Sequence, residues 1–191
     1  QWHTLRLKKV HSETDHARRF FFTLEEETPF SFLPGQFLTC DLPLGDKRIQ
    51  RWRSYTIANL DMHDGCIEFC VSFKENGLAS NYFFNVLKVG DTIRIKNPEG
   101  TFILPQVQSG VLFLVCTGTG IAPFRAMLQE LTLRGHNYER IHLIFGTRTS
   151  SDILYRNEFE VWHSQISNFN SYICLSRING TVPDIPKHSI Y

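Results

Sequence analysis

Residues 111–128 read VLFLVCTGTGIAPFRAML, and the order of textures in that stretch fixes half of the architecture. VLFLVC is a continuous apolar run, the pattern of a strand buried on both faces. Gly118-Thr119-Gly120 follows, and then AMLQELTLRG, whose Ala126, Leu128, Leu131 and Leu133 can line one side of a helix. A glycine pair between a buried strand and a helix lets a dinucleotide backbone come close, with its phosphates near the helix N-terminus. Downstream, IHLIFG (141–146) predicts a second buried strand. ILYRNEFEVWHSQI (153–166) predicts a helix that turns Leu154, Phe159, Trp162 and Ile166 to the sheet, and NSYICLSR (170–177) a third strand. Strand–helix–strand–helix–strand is the signature of a doubly wound parallel sheet. Two features depart from the usual dinucleotide fingerprint: Pro123 stands where a last glycine is expected, and Gly146-Thr147-Arg148 ends the second strand without a carboxylate. An ordinary dehydrogenase therefore fits poorly.

Upstream the texture differs. TLRLKKV (4–10), RFFFTLE (19–25), QFLTCDL (36–42), RSYTIAN (53–59), CIEFCVSF (66–73) and DTIRIKNP (91–98) read as short strands. Turn residues at Leu33-Pro34-Gly35, Leu44-Gly45-Asp46, His63-Asp64-Gly65 and Val89-Gly90-Asp91 separate them. One short helix is expected, from about Leu78 to Leu87. Six strands and a short helix predict an antiparallel Greek-key-type barrel, which closes its own edges. Pro105 and Gly110 bracket a polar linker across Phe102–Ser109, so the expected division is a barrel over 1–104 and a parallel-sheet domain over 105–191.

Composition narrows the function classes. With 20 basic and 19 acidic residues the net charge is +1, which points to neither nucleic acid nor a membrane surface. The five cysteines form no CxxC pair and suit buried thiols in a reducing cytosol. No histidine spacing suggests a metal site, and the longest apolar run is far short of a bilayer span. A cytoplasmic protein is expected.

Two upstream segments carry chemistry. In RWRSYTIAN (51–59), strand alternation places Arg51, Arg53 and Tyr55 on one face and Trp52, Ser54 and Thr56 on the other. Cations beside a flat ring suit a ligand that is part phosphate and part aromatic; the same stretch also fits an edge strand with solvated arginines. In ENGLASNYF (75–83), Gly77 precedes a helix start whose unpaired N–H groups favour an anion; a plain cap by Ser80 or Asn76 is the commoner role for such residues. Arg53 and this helix start together match the needs of a pyrophosphate.

RSYT (53–56), the GLAS helix start (77–80), NPEGTF (97–102) and TGTGIAP (117–123), in that order, resemble the ferredoxin–NADP reductase family, from PGQF (34–37) to CLSR (174–177). The resemblance implies a barrel that binds FAD and a parallel-sheet domain that binds NADP or NAD. By motif, Arg53 pairs with the flavin phosphate, with Ser54 in the same strand. Tyr55 lies along the isoalloxazine ring and Thr56 sits near its reactive nitrogen, the two making up the catalytic pair. Gly77, Leu78, Ala79 and Ser80 cradle the pyrophosphate. Thr117, Gly118, Thr119 and Gly120 hold the nicotinamide arm, with Pro123 in the first turn of the next helix. Ser176 and Arg177, helped by Arg148, look like the pocket for the extra phosphate of NADPH.

The implied activity is an NAD(P)H-dependent flavoprotein reductase that passes single electrons to ferredoxin, flavodoxin or an oxygenase component. Lys47, Arg48 and Arg51, in a loop with Asp46 as the one nearby counter-charge, would steer an acidic carrier. Other readings are a flavin-binding subunit without its own turnover, a free-flavin reductase, which the phosphate cradle argues against, and a nucleotide-sensing module. The family's second domain ordinarily continues for two more strands with a Cys-Gly motif, so the expectation is an incomplete parallel-sheet domain.

Overall fold

A computed structural model describes residues 1–26, 29–60, 65–177 and 184–186. Its first half is a six-stranded antiparallel sheet built from β1 (Trp2–Thr14), β2 (Ala17–Leu24), β3 (Phe37–Asp41), β4 (Trp52–Thr56), β5 (Cys66–Ser72) and β6 (Thr92–Lys96). The order is β4-β3-β6-β1-β2-β5. Alternation builds the core: Leu5 and Leu7 on β1 and Phe20 and Phe22 on β2 are fully buried, while their sequence neighbours face outward. The end strands then meet. Just past β4 the Ala58 N–H donates to the Glu68 carbonyl at 2.9 Å. Asn59 grips β5 from both sides, accepting from the Glu68 N–H and donating to the Cys66 carbonyl, each at 2.8 Å. These bonds close the sheet into a barrel. The turn expected at His63-Asp64 lies outside the described residues.

Helices are sparse in this half. A single turn, α1 (Arg48–Arg51), precedes β4, where the sequence reading has a loop. The helix expected from Leu78 forms as α2 (Leu78–Asn81), then widens into a π-helical turn over Tyr82–Val86.

The second half is a parallel sheet in the order β7-β8-β9, from β7 (Val111–Thr117), β8 (Arg140–Thr147) and β9 (Phe169–Leu175). On one face lie α3 (Ile121–Arg134) and α4 (Glu158–Gln165). Ala126, Leu128 and Leu131 of α3, and Leu154, Phe159, Trp162 and Ile166 in and around α4, are buried against Leu114, Leu143, Phe145 and Ile173. Three expectations need correction. Leu133 is 69% exposed, because two residues beyond Leu131 the helix has turned it away from the sheet. The predicted 153–166 helix shrinks to α4, since Tyr155 takes a left-handed φ of 53° that no helix interior tolerates. Finally, β7 is buried on one face only: Val111, Phe113 and Val115 are 45%, 60% and 62% exposed. The described residues put α3 and α4 on the opposite face, so an apolar run here does not mean two covered faces.

Candidate functional site

β4 positions the first group. Its register sets Arg53 opposite Cys40 and Tyr55 opposite Leu38 on β3. The Tyr55 ring lies 4.9 Å from Phe83 and 5.6 Å from Phe69, half-buried at the margin of the barrel core. Burial raises its phenol well above the ordinary value, and the Cys40 thiol adds to this while Arg53 opposes it. Arg53 anchors itself through Nη1, which donates to the carbonyls of Ile49 (3.0 Å) and Trp52 (2.7 Å). Ser54 is exposed and Thr56, opposite Phe37, is half-buried.

Arg51 departs from the sequence reading. It ends α1 instead of entering the strand, and its Nε and Nη2 make a two-pronged pair with Asp41, both at 2.8 Å. Asp46 is therefore not the one counter-charge of this basic segment. Arg48 lies over the Trp52 ring, 4.3 Å from its centroid.

Phe83 ties β4 to the second group, since it sits in the helical segment that Gly77 opens. The N–H groups of Leu78, Ala79 and Ser80 form the first turn, where a helix has no internal acceptors to offer. Ser80 is buried; its hydroxyl receives the Lys74 N–H and contacts the Lys74 and Gly77 carbonyls, all at 3.1 Å. A Cβ on Gly77 would meet that hydroxyl at 2.7 Å, so the loop closes this tightly only on glycine. Tyr55 of β4 thus packs against the helical segment that Gly77 opens.

The third group surrounds a cleft of about 970 Å³ at the carboxyl ends of β7, β8 and β9. Of the residues proposed from sequence, Thr117, Gly118, Arg148 and Ser176 line it; Thr119, Gly120, Pro123 and Arg177 do not. Gly118 holds a φ of +50° with open space where a side chain would point. Backbone bonds fix the floor: Ser176 N–H donates to the Thr147 carbonyl (3.0 Å) and Arg177 N–H to that of Arg148 (2.8 Å). The opposite wall comes from the barrel, with His16 in the β1–β2 turn and Phe73 and Glu75 after β5. The 73–80 loop therefore reaches the cleft at one end and opens the helical turn at the other.

Sequence reading missed several of these residues. Asp152 lines the cleft five residues past β8, and its carboxylate accepts from the Thr149 hydroxyl at 2.7 Å. A search confined to the strand end, where no carboxylate occurs, passes over it. His16 and Glu75 carry no local signal, because only the closed fold brings them to the cleft. Two buried charges outside the cleft lining, Arg125 and Glu68, do carry a local signal, each being a charge inside an apolar run (PFRAM and CIEFC). Of the thiols, Cys174 is exposed and lines the cleft, against the expectation of burial.

Both halves of the chain match known families. Residues 4–103 match the oxidoreductase FAD-binding domain family and residues 114–181 the oxidoreductase NAD-binding domain family. Over 172 residues the chain is 30% identical to ferredoxin–NADP reductase B of Sorangium cellulosum, covering 90% of this chain and 69% of that protein. It is 31% identical over 153 residues to the toluate 1,2-dioxygenase electron transfer component of Pseudomonas putida, covering 80% of this chain and 44% of the relative. The chain thus spans less than half the length of several curated relatives that it matches. Among solved structures, the Amycolatopsis cytochrome P450 reductase GcoB superposes over the whole chain and 55% of its own, with a TM-score of 0.82 at 24% identity, a likeness of fold.

Proposed function

Because this chain belongs to the ferredoxin–NADP reductase-like family of FAD- and NAD-binding oxidoreductases, we propose that it takes a hydride from NAD(P)H onto bound FAD and delivers single electrons to a protein acceptor. The observation that carries the reading is the 4.9 Å Tyr55–Phe83 contact, which packs the cation-and-ring strand against the helical segment that follows the glycine-led start. FAD, when bound, contributes the two-electron to one-electron conversion that no side chain provides. The residues present fit it. Arg53 would offer charge to a phosphate, the Gly77–Ser80 turn would offer N–H donors, and Tyr55 and Thr56 would stand beside the ring. Ser80 serves the cradle by holding the loop, since its hydroxyl is engaged there. We assign the barrel to 1–104 and the dinucleotide domain to 105–191. Thr117–Gly120 then acts as the phosphate loop, with Pro123 pre-set in the helical turn behind it. The test is direct: the purified protein should be yellow and should bleach when mixed anaerobically with NAD(P)H. A colourless preparation that takes up no added FAD removes the proposal.

Cofactor choice lies in the cleft. Arg148 and Ser176, with Arg177 beside them, suit a 2′-phosphate, which favours NADPH. Asp152 favours NADH, because a carboxylate accepts from free ribose hydroxyls and repels a phosphate. Arg148→Ala and Asp152→Ala should shift the NADPH-to-NADH rate ratio in opposite directions, and equal ratios in both would remove both assignments.

For the acceptor we propose an acidic carrier such as ferredoxin, flavodoxin or an oxygenase component. Arg94 and Lys96 lie against Trp2 and Trp52 beside Lys47 and Arg48, extending the cationic rim across the barrel. Steering of this kind weakens as salt rises; acceptor reduction that is flat in salt would remove it. A cytoplasmic site of action belongs to the same proposal. Among the described residues, no helix is long and apolar enough to cross a membrane.

A further inference from the structure

Between the two halves lies a buried polar joint that the proposed chemistry does not itself use. Arg125 of α3, only 6% exposed, reaches out of its own half. Its Nη1 donates to the Ala58 carbonyl at 2.7 Å and to Glu68 at 3.0 Å, while Nε binds both oxygens of Glu158 at 2.8 Å. Glu68 on β5, 3% exposed, also takes two bonds from Arg19, at 2.7 and 2.9 Å, and one from the Tyr155 hydroxyl at 3.1 Å. The Tyr155 ring packs against both guanidiniums, 4.9 Å from Arg19 and 4.6 Å from Arg125. Glu13 of β1 accepts the Tyr155 backbone N–H at 2.6 Å.

Two features argue that this joint does more than hold the halves together. Replacing buried ion pairs with packed apolar residues is often neutral or stabilising, so a network of five charged groups is a poor device for adhesion alone. It is directional, however: every bond fixes an angle as well as a distance. Tyr155 also sits at φ 53°, a conformation costly for a bulky residue, and its surroundings hold it there. The connections are specific. Ala58 lies two residues past Thr56 on the flavin strand. Arg125 lies five residues past Gly120 in the phosphate loop. Leu154, next to Tyr155, lines the dinucleotide cleft.

We infer that Arg125 and Tyr155, seated on Glu68, are positioning residues that fix the phosphate loop and cleft against the flavin strand. This rests on the function proposed above. The experiment compares the parent chain with Arg125→Met, Arg125→Lys and Tyr155→Phe. In rapid mixing with NADPH or NADH, Arg125→Met should keep its flavin and half-saturate within about twofold of the parent. Its limiting rate of flavin reduction should nonetheless fall at least tenfold, with part of the loss recovered in Arg125→Lys and a smaller loss in Tyr155→Phe. Hydrogen exchange, which needs no flavin, should quicken in residues 57–60 and 118–134 of Arg125→Met, with both sheets otherwise protected. A limiting rate within twofold of the parent overturns the inference. So does exchange that is unchanged, or that quickens evenly through both sheets, because the joint would then be a general stabiliser. If the parent binds no flavin, the proposed function fails, and the exchange pattern alone decides this inference.

Discussion

Arg53 is held at one nitrogen by the Ile49 and Trp52 carbonyls, which aims the rest of its guanidinium before any ligand arrives. A pre-aimed, charge-assisted donor contributes about 1.5–3 kcal/mol to an anion's binding, so Arg53→Gln should weaken FAD binding roughly 10- to 100-fold. Titration of the apoprotein, followed by flavin fluorescence, measures it. An unchanged affinity would remove Arg53 from the proposed phosphate site. The strand placement of Arg53 was legible because its neighbours Ser54, Tyr55 and Thr56 formed a local pattern, and all four lie on β4. Arg51 was not. Its partner Asp41 is ten residues away on β3, and only the folded sheet brings them to 2.8 Å. Local sequence displays which residue types are present, but a charge's partner across strands is a tertiary fact.

Elements repeat that contrast. All six barrel strands were legible from alternation and turn residues. β7 was legible as a strand, yet the exposure of its Phe113 face was not, because run length does not report what the other face meets. α4 begins later than its apolar spacing implied, since Tyr155 is diverted into the inter-half joint. Turn glycines were legible as turns, but how closely their surroundings approach was hidden. Gly35 is the sharpest case. Its φ is +101°, and a Cβ there would lie 1.9 Å from the Phe102 carbonyl oxygen and 2.6 Å from the Met127 Cε atom. The turn before β3 is thus pressed against both the segment leaving the barrel and helix α3. Gly35→Ala combines a strained φ with overpacking against backbone, which costs about 2–4 kcal/mol. Urea unfolding should show a midpoint lowered accordingly. A loss under about 0.5 kcal/mol would mean that the junction readily yields, since this is the range of ordinary surface substitutions.

Across the whole molecule, buried acids of weak acidity set how stability responds to alkali. Burial pushes the Cys116 thiol, ordinarily near 9.0, up to about 12. Burial does the same to Cys70, also to about 12, with the nearby Glu68 and Glu13 carboxylates adding to the rise and the Tyr155 hydroxyl and Arg19 opposing it. Burial raises Cys40 and Tyr155 as well. These groups are neutral when protonated, so folding favours the proton-bound form. Their contribution is complete below the unfolded value near pH 9 and is lost as pH climbs through the folded values toward 12. Each such group removes about 1.4 kcal/mol of stability per pH unit inside that window. The melting temperature should therefore hold steady from pH 7 to about 8.5 and fall progressively above 9. In a Cys70→Ala, Cys116→Ala double variant the starting stability will be lower, but the fall above pH 9 should be shallower, because two of the proton-linked groups are gone. If parent and variant decline in parallel, the thiols are not what couples folding to alkali. Since Cys70 lies against Tyr155 at the joint and Cys116 lies one residue before the cleft-lining Thr117, a parallel decline would also mean that the interior on both sides of the interface admits hydroxide more freely than its packing implies.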